Sequence, residues 1–286
     1  MHRHAEWIVA TISTICLILT IAVYLYVKML RNTLGKCIVS CLLSMVMVQV
    51  IFIQNSLNFL FHLFATYCII NGKVFLFSIA FEWTRNFFQY AYFIWLSVIS
   101  YHLWQVFKSP RSDDHSRSFL AYSAFVWITA GIITGFFFFL NAQDDERLTV
   151  LCMLLGSLIF HIFNLIMFIL TTISIWKVKG EMKRFTRRKD KTTTCFNFDT
   201  ETYLQFLRMS IMMGLSWSFV IVVYVFNNFF SSFNHLQFII DLHHAFVIYV
   251  FILLIVKRST INLIMESIRE RQIKRRVRAQ MERDLP

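Results

Sequence analysis

Glu82 and Arg85 lie three residues apart, a spacing that puts a carboxylate and a guanidinium on one helix face and lets them pair. They stand at the outer end of an apolar run, where an interfacial ion pair and a ligand contact are both open readings. Asp241, His243 and His244 begin another apolar run, with His235 just before it. Asp241 and His244 share a helix face. That pair suits a hydrogen-bonded group that titrates near physiological pH. It suits a metal site less well, because no third convergent ligand is evident. His102 and Arg208 stand near the inner ends of their runs, and a long arginine side chain there reaches the charged surface by snorkelling. His161, alone among apolar residues, reads as a core histidine bonded to a neighbouring helix. The six cysteines show no zinc-like spacing, and Cys37 and Cys41, four apart, suit packing. No nucleophile elbow, phosphate-binding loop or zinc-protease helix motif occurs, so neither enzyme function nor a cofactor is expected.

The elements that hold these residues are set by composition. The chain of 286 residues is 57% hydrophobic and 15% charged, whereas ordinary globular domains are about a quarter charged. With seven Gly and two Pro there is little turn punctuation, and short polar clusters separate long apolar runs. That pattern is a helical membrane bundle, since a barrel would show short alternating segments. Seven runs are long enough to cross about 30 Å of hydrocarbon: Trp7 to Val27, Cys37 to Leu60, Glu82 to Trp104, Phe119 to Leu140, Leu148 to Trp176, Tyr203 to Phe230 and Leu236 to Val256. The first is longer than a typical signal core and is followed by basic residues rather than a cleavage site, so it reads as a retained span. Tyr67 to Phe81, broken by Asn71, Gly72 and Lys73, reads as outer loop and helix extension.

Orientation follows from Lys and Arg near the span ends. Three occur between Lys28 and Lys36, three between Lys108 and Arg117, eight between Lys177 and Lys191 and nine from Lys257 onward, 23 in all. The other side holds Arg3, Lys73 and Arg147, a total of three. Basic residues resist translocation, so the N-terminus is expected outside and the C-terminus inside. From Lys257 the apolar Ile261, Ile264 and Ile268 recur at helical spacing among nine basic residues. This is an amphipathic helix suited to the inner leaflet, where each basic residue contributes about 1 kcal/mol near anionic lipid; a stop-transfer cluster running into a frayed tail is the plainer alternative. The net charge of +12 belongs to these cytoplasmic segments and does not point to nucleic acid. The organisation is therefore an all-α, seven-transmembrane bundle over 1–256 and a basic amphipathic tail over 257–286.

Several stretches carry a closer resemblance. LTIAVYLYVKMLRNTLGKC from Leu19, FIWLSVISYHLW from Phe93, FNLIMFILTTISIWKVK from Phe163, FLRMSIMMGLSWSFVIVVY from Phe206 and FILLIVKR from Phe251 are similar to the Methuselah-like receptors of insects, in the secretin-like class of G-protein-coupled receptors. The resemblance covers most of the membrane domain. It implies a cell-surface receptor at the plasma membrane, an extracellular ligand that the sequence does not name, and a heterotrimeric G protein at the inner mouth. Arg31, Lys36, His102, Arg184, Arg187, Arg188, Arg208 and Lys257 would surround that mouth. Glu82, Arg85, Asp241 and His244 are the ligand-side candidates, and Gly214 with Trp217 marks a bend in the sixth helix or a close packing point. Cys68 and Cys152, both on the outer side, would correspond to the disulfide between the third span and the second outer loop.

This chain departs from the family in places. The histidine usual between Asn32 and Gly35 is replaced by Thr33 and Leu34, and the fourth-span Trp-Gly-x-Pro reads Trp127-Ile128-Thr129-Ala130. Val220 stands at an acidic position, and His244, Val247 and Ile248 stand where Asn and Gln-Gly are expected. The cysteine-rich domain that family members carry before the first span is not in this sequence, as expected of a fragment or of a chain that has lost its ligand-binding part. A non-signalling decoy or partner subunit is thus the second expectation. An insect chemoreceptor channel places its N-terminus inside and conflicts with the charge count.

Overall fold

The computed structural model describes residues 2–27, 30–65, 73–108, 115–141, 146–186, 248, 251–252, 255 and 258–284, and all of its elements are helices. In chain order they are α1 (His2–Tyr26), α2 (Thr33–Ala65), α3 (Lys73–Lys108), α4 (His115–Asn141), α5 (Glu146–Thr186) and α6 (Arg258–Asp284). Four stretches among the described residues are long and apolar enough to cross a membrane: Ile8–Tyr26, Thr33–Gln54, Ser118–Asn141 and Leu155–Ser174. They correspond to the first, second, fourth and fifth runs read from the sequence. The expected extension of the third run is present, because α3 is already helical at Lys73.

α3 is the centre around which the others pack. It meets α2 most extensively, then α5 and α4, while α1 lies against α2. Every residue from Tyr90 to Ser100 is buried, so this stretch has no lipid-facing side. That placement explains why α3 is absent from the four most apolar stretches. A helix enclosed by protein can carry Tyr90, Tyr92, Trp95, Ser97 and Ser100 at no cost of exposure to hydrocarbon, and its neighbours supply the contacts that lipid would otherwise make.

The outside of the bundle is apolar. On α1, Ile8, Ile12, Ile15, Ile18 and Leu25 are about half exposed at helical spacing, and α4 exposes Leu120, Phe125, Ile128, Ile132, Phe136 and Phe139. In water such patches would be large interaction or aggregation surfaces; in a bilayer they are the lipid contact. The inside holds hydroxyls, and several are satisfied within their own helices. Thr14 Oγ1 donates to the Ala10 carbonyl at 2.8 Å, Thr20 to Cys16 at 2.8 Å, Ser44 to Ser40 at 3.0 Å and Ser100 to Leu96 at 2.9 Å. Back-bonding one turn upstream lets small polar residues enter an apolar interior without an orphaned group.

One turn fixes how α1 leads into α2. Asn32 caps α2: its Oδ1 accepts from the Gly35 N–H at 2.7 Å, and its carbonyl accepts from the Lys36 N–H at 3.0 Å. The cap brings the Leu30 carbonyl against Gly35, where an added Cβ would lie 1.7 Å from that oxygen. Only glycine fits there, and Gly35 stays in place although the two residues before it depart from the family pattern.

Candidate functional site

The best-described candidate surface is the end of the bundle where α1 leads into α2. α2 contributes Lys36, whose Nζ lies 5.7 Å from the centre of the Phe119 ring on α4. α3 contributes His102 and Gln105, three residues apart and so on one face. Tyr122 on α4 donates its hydroxyl hydrogen to Gln105 Oε1 at 3.2 Å, while His102 Nδ1 lies 3.4 Å from the Tyr122 hydroxyl oxygen. Phe119, one turn before Tyr122, stacks on Trp95 at 6.1 Å. Lys36 and His102, two of the residues expected at the inner mouth, therefore meet α4 at positions one turn apart. Arg31 is exposed in the turn before α2. Arg184 lies in the last turn of α5.

α6 joins this surface through Arg271. Its Nη2 donates to the Tyr26 carbonyl at 2.9 Å, and its guanidinium carbon lies 3.9 Å from the Tyr26 ring centre. Tyr26 ends α1, so its carbonyl has no partner within that helix, and Arg271 supplies both the missing donor and a charge suited to a helix C-terminus. The tail expected to lie at the inner leaflet is a single helix from Arg258 to Asp284, tied to the C-terminal end of α1.

At the opposite end, Arg85 Nη2 lies 3.7 Å from Glu82 Oε1, with side chains 38% and 65% exposed. The pair expected from spacing is formed, and Trp83 between its members turns the other way to meet Phe138 edge-on at 5.1 Å. Cys152 is half-buried with a free thiol. His161 Nδ1 meets the Ser157 carbonyl at 2.6 Å, one turn back in its own helix, and the ring of Phe93 on α3 lies 5.4 Å from its own. Cys68, Arg187, Arg188, Arg208, Gly214, Trp217, Asp241, His244 and Lys257 lie outside the described residues. Among the described residues, no three His, Cys, Asp or Glu side chains come together as a metal site.

Three further residues stand out inside the bundle. Gln49 Oε1 on α2, Trp95 Nε1 on α3 and Asn164 Oδ1 on α5 are buried without a hydrogen-bond partner. Buried polar atoms of this kind mark interior positions tied to function more often than to stability. A lone amide inside an apolar run is the signal that could have found Gln49 and Asn164.

An all-helical fold with an apolar outside and hydroxyls turned inward defines the class: a helical membrane protein. No family model matches the chain. It is 40% identical to the probable G-protein coupled receptor Mth-like 7 of Drosophila melanogaster over 284 residues, 90% of this chain and 54% of that receptor. It is 34% identical to the probable G-protein coupled receptor Mth-like 12 of the same organism over 286 residues, 90% of this chain and 55% of the relative. The G-protein coupled receptor Mth of Drosophila yakuba is 32% identical over 291 residues, 93% of this chain and 53% of that protein. The chain spans about half the length of these curated relatives. Across that region it belongs to the Methuselah-like family.

Proposed function

We propose that this chain is the membrane domain of a G-protein-coupled receptor at the plasma membrane, with seven spans, its N-terminus outside and α6 along the inner leaflet. The similarity to named G-protein coupled receptors over nine tenths of the chain carries this reading. The 23-to-3 partition of basic residues supports the orientation. The working step is a two-state shift of the fifth and sixth helices, with Gly214 and Trp217 at the bend, that opens an inner cavity toward a heterotrimeric G protein. Arg31, Lys36, His102, Arg184, Arg187, Arg188, Arg208 and Lys257 form its basic rim. Glu82, Arg85, Asp241 and His244 face the extracellular ligand. Inner-leaflet lipids hold the tail.

The chain carrying an N-terminal tag, expressed in intact cells, tests this. The expected result is tag staining without permeabilisation, together with basal G-protein activation that Arg208→Ala abolishes. Surface staining without activation favours the second reading, a silent partner or decoy, for which the replaced polar positions at Val220 and His244 speak. A tag reached only after permeabilisation overturns the orientation and the receptor reading with it.

A further inference from the structure

α6 has two apolar faces, and they point in different directions. At about 100° per residue, Ile261, Ile264, Met265 and Ile268 cluster on one side of the helix. Ile273, Val277 and Met281, each four residues on from the last, form a second stripe centred about 170° away from the first. The second stripe is 55%, 49% and 63% exposed along its length. One straight helix on a flat membrane surface cannot bury both.

Arg271 decides which face is up. It bonds the Tyr26 carbonyl at the inner end of α1, so its side of α6 faces the bundle and the leaflet. Arg275 and Arg278, four and seven residues on, share that side and are placed for lipid phosphates. The first stripe lies within about 70° of Arg271 and the second about 120° from it, so the second faces away from the membrane.

We infer that Ile273, Val277 and Met281 form a docking face for an acidic cytosolic protein with an apolar groove that takes a helix. Anchors at i, i+4 and i+8 are the spacing such grooves read, and a basic amphipathic helix is their usual guest. Lys274 borders the stripe on one edge, with Arg269 and Arg276 on the other. The tail from Lys257 carries nine Lys and Arg against four Asp and Glu. Glu266, Glu270 and Asp284 share the stripe's side but lie before Ile273 or after Met281, and between those two the helix holds Lys274, Arg275, Arg276 and Arg278 with no acidic residue. A second copy of α6 would bring the same basic stretch and repel, whereas a groove rimmed by carboxylates complements it. The inference rests on α6 lying on the cytosolic side.

The test uses the full chain in phosphatidylcholine nanodiscs, which leave both faces open, so binding is read independently of G-protein activation. Ca²⁺-loaded calmodulin serves as the acidic groove probe. Binding that a calcium chelator abolishes and Val277→Asp weakens at least tenfold is expected. A polarity-sensitive dye on Val277→Cys should report water in discs alone and an apolar site once calmodulin is added. No binding at micromolar calmodulin, or binding that Val277→Asp leaves unchanged, overturns the inference. So does a dye already in an apolar site before calmodulin, which means lipid covers the stripe. Two chains per disc, reduced to one by Val277→Asp, means a second copy covers it and equally overturns it.

Discussion

α3 and α4 run side by side and share a wall of rings, with Trp83 on Phe138, Tyr90 on Phe137, and Phe87 and Trp95 on Trp127. Beyond that wall they differ. α3 is closed in by protein from Tyr90 to Ser100, whereas only 17% of the apolar stretch of α4 is buried. α4 qualifies as a membrane span on hydropathy and α3 does not, although α3 is the more deeply enclosed. Of these two neighbours, the one with more lipid contact is the one that hydropathy picks out, and the enclosed one falls short of it. The energetic consequence runs the same way. Side chains on α3 are held by neighbours of fixed shape, while those on the outer face of α4 exchange one apolar surrounding for another.

Trp95 gives the largest separation between the two. It is fully buried, stacked on Phe119 and edge-on to Trp127. Trp95→Ala leaves a cavity that fixed helices cannot close, at a cost of about 3–5 kcal/mol. Phe139→Ala, on the exposed face of α4, should cost under about 0.5 kcal/mol because lipid chains refill the space. Unfolding of both variants in bicelles, by denaturant titration, compares them directly. Equal losses would mean that the enclosure of α3 carries no energetic weight.

The same contrast explains what could be read without a structure. The first, second, fourth and fifth runs announce themselves because each turns a long apolar face to lipid. The centre of α3 was legible as FIWLSVISYHLW by resemblance and by length, but its enclosure was not, since periodicity cannot show a helix surrounded on every side. The Glu82–Arg85 pair followed from local spacing. The bond from Arg271 to Tyr26 spans 245 residues of sequence, and no local pattern encodes it. The meeting of Lys36 and His102 with α4 depends on how three helices cross, which single-helix spacing leaves open.

Glycines sharpen the comparison at the next level of effect. Gly35 has the Leu30 carbonyl where a Cβ would stand, while Gly131 on α4 has nothing within 4 Å. Gly35→Ala must push the turn before α2 aside and should cost about 2–3 kcal/mol. Gly131→Ala restores helix propensity at an open site and should be neutral or stabilising by up to about 1 kcal/mol. The same bicelle titration reads both, and a destabilising Gly131→Ala would show that α4 is covered by something other than lipid.

Tyr122→Phe tests the junction between the two helices rather than either alone. It removes the hydroxyl that bonds Gln105 and approaches His102, leaving the ring in place. A bond at this half-exposed end of the bundle is worth about 0.5–1.5 kcal/mol. The ring contact between His102 and Tyr122 at 5.7 Å survives the change, so α3 and α4 should stay aligned. A loss well above that range would place this junction with the enclosed waist of α3 rather than with its ends.

The smallest effect is expected at the other end of α3. Glu82 and Arg85 pair at 3.7 Å on a part of the helix that is largely exposed. Exposed i,i+3 pairs lose to screening and side-chain entropy most of what they gain by attraction, so Glu82→Gln should change stability by under about 0.5 kcal/mol. Raising salt should shrink even that difference, since about 1 M salt shortens the screening length to about 3 Å. If Glu82→Gln instead costs as much as Tyr122→Phe, and salt does not reduce it, the outer end of α3 is enclosed like its middle. The contrast with α4 would then extend over the whole helix, and the ion pair would belong to a covered site rather than to an open rim.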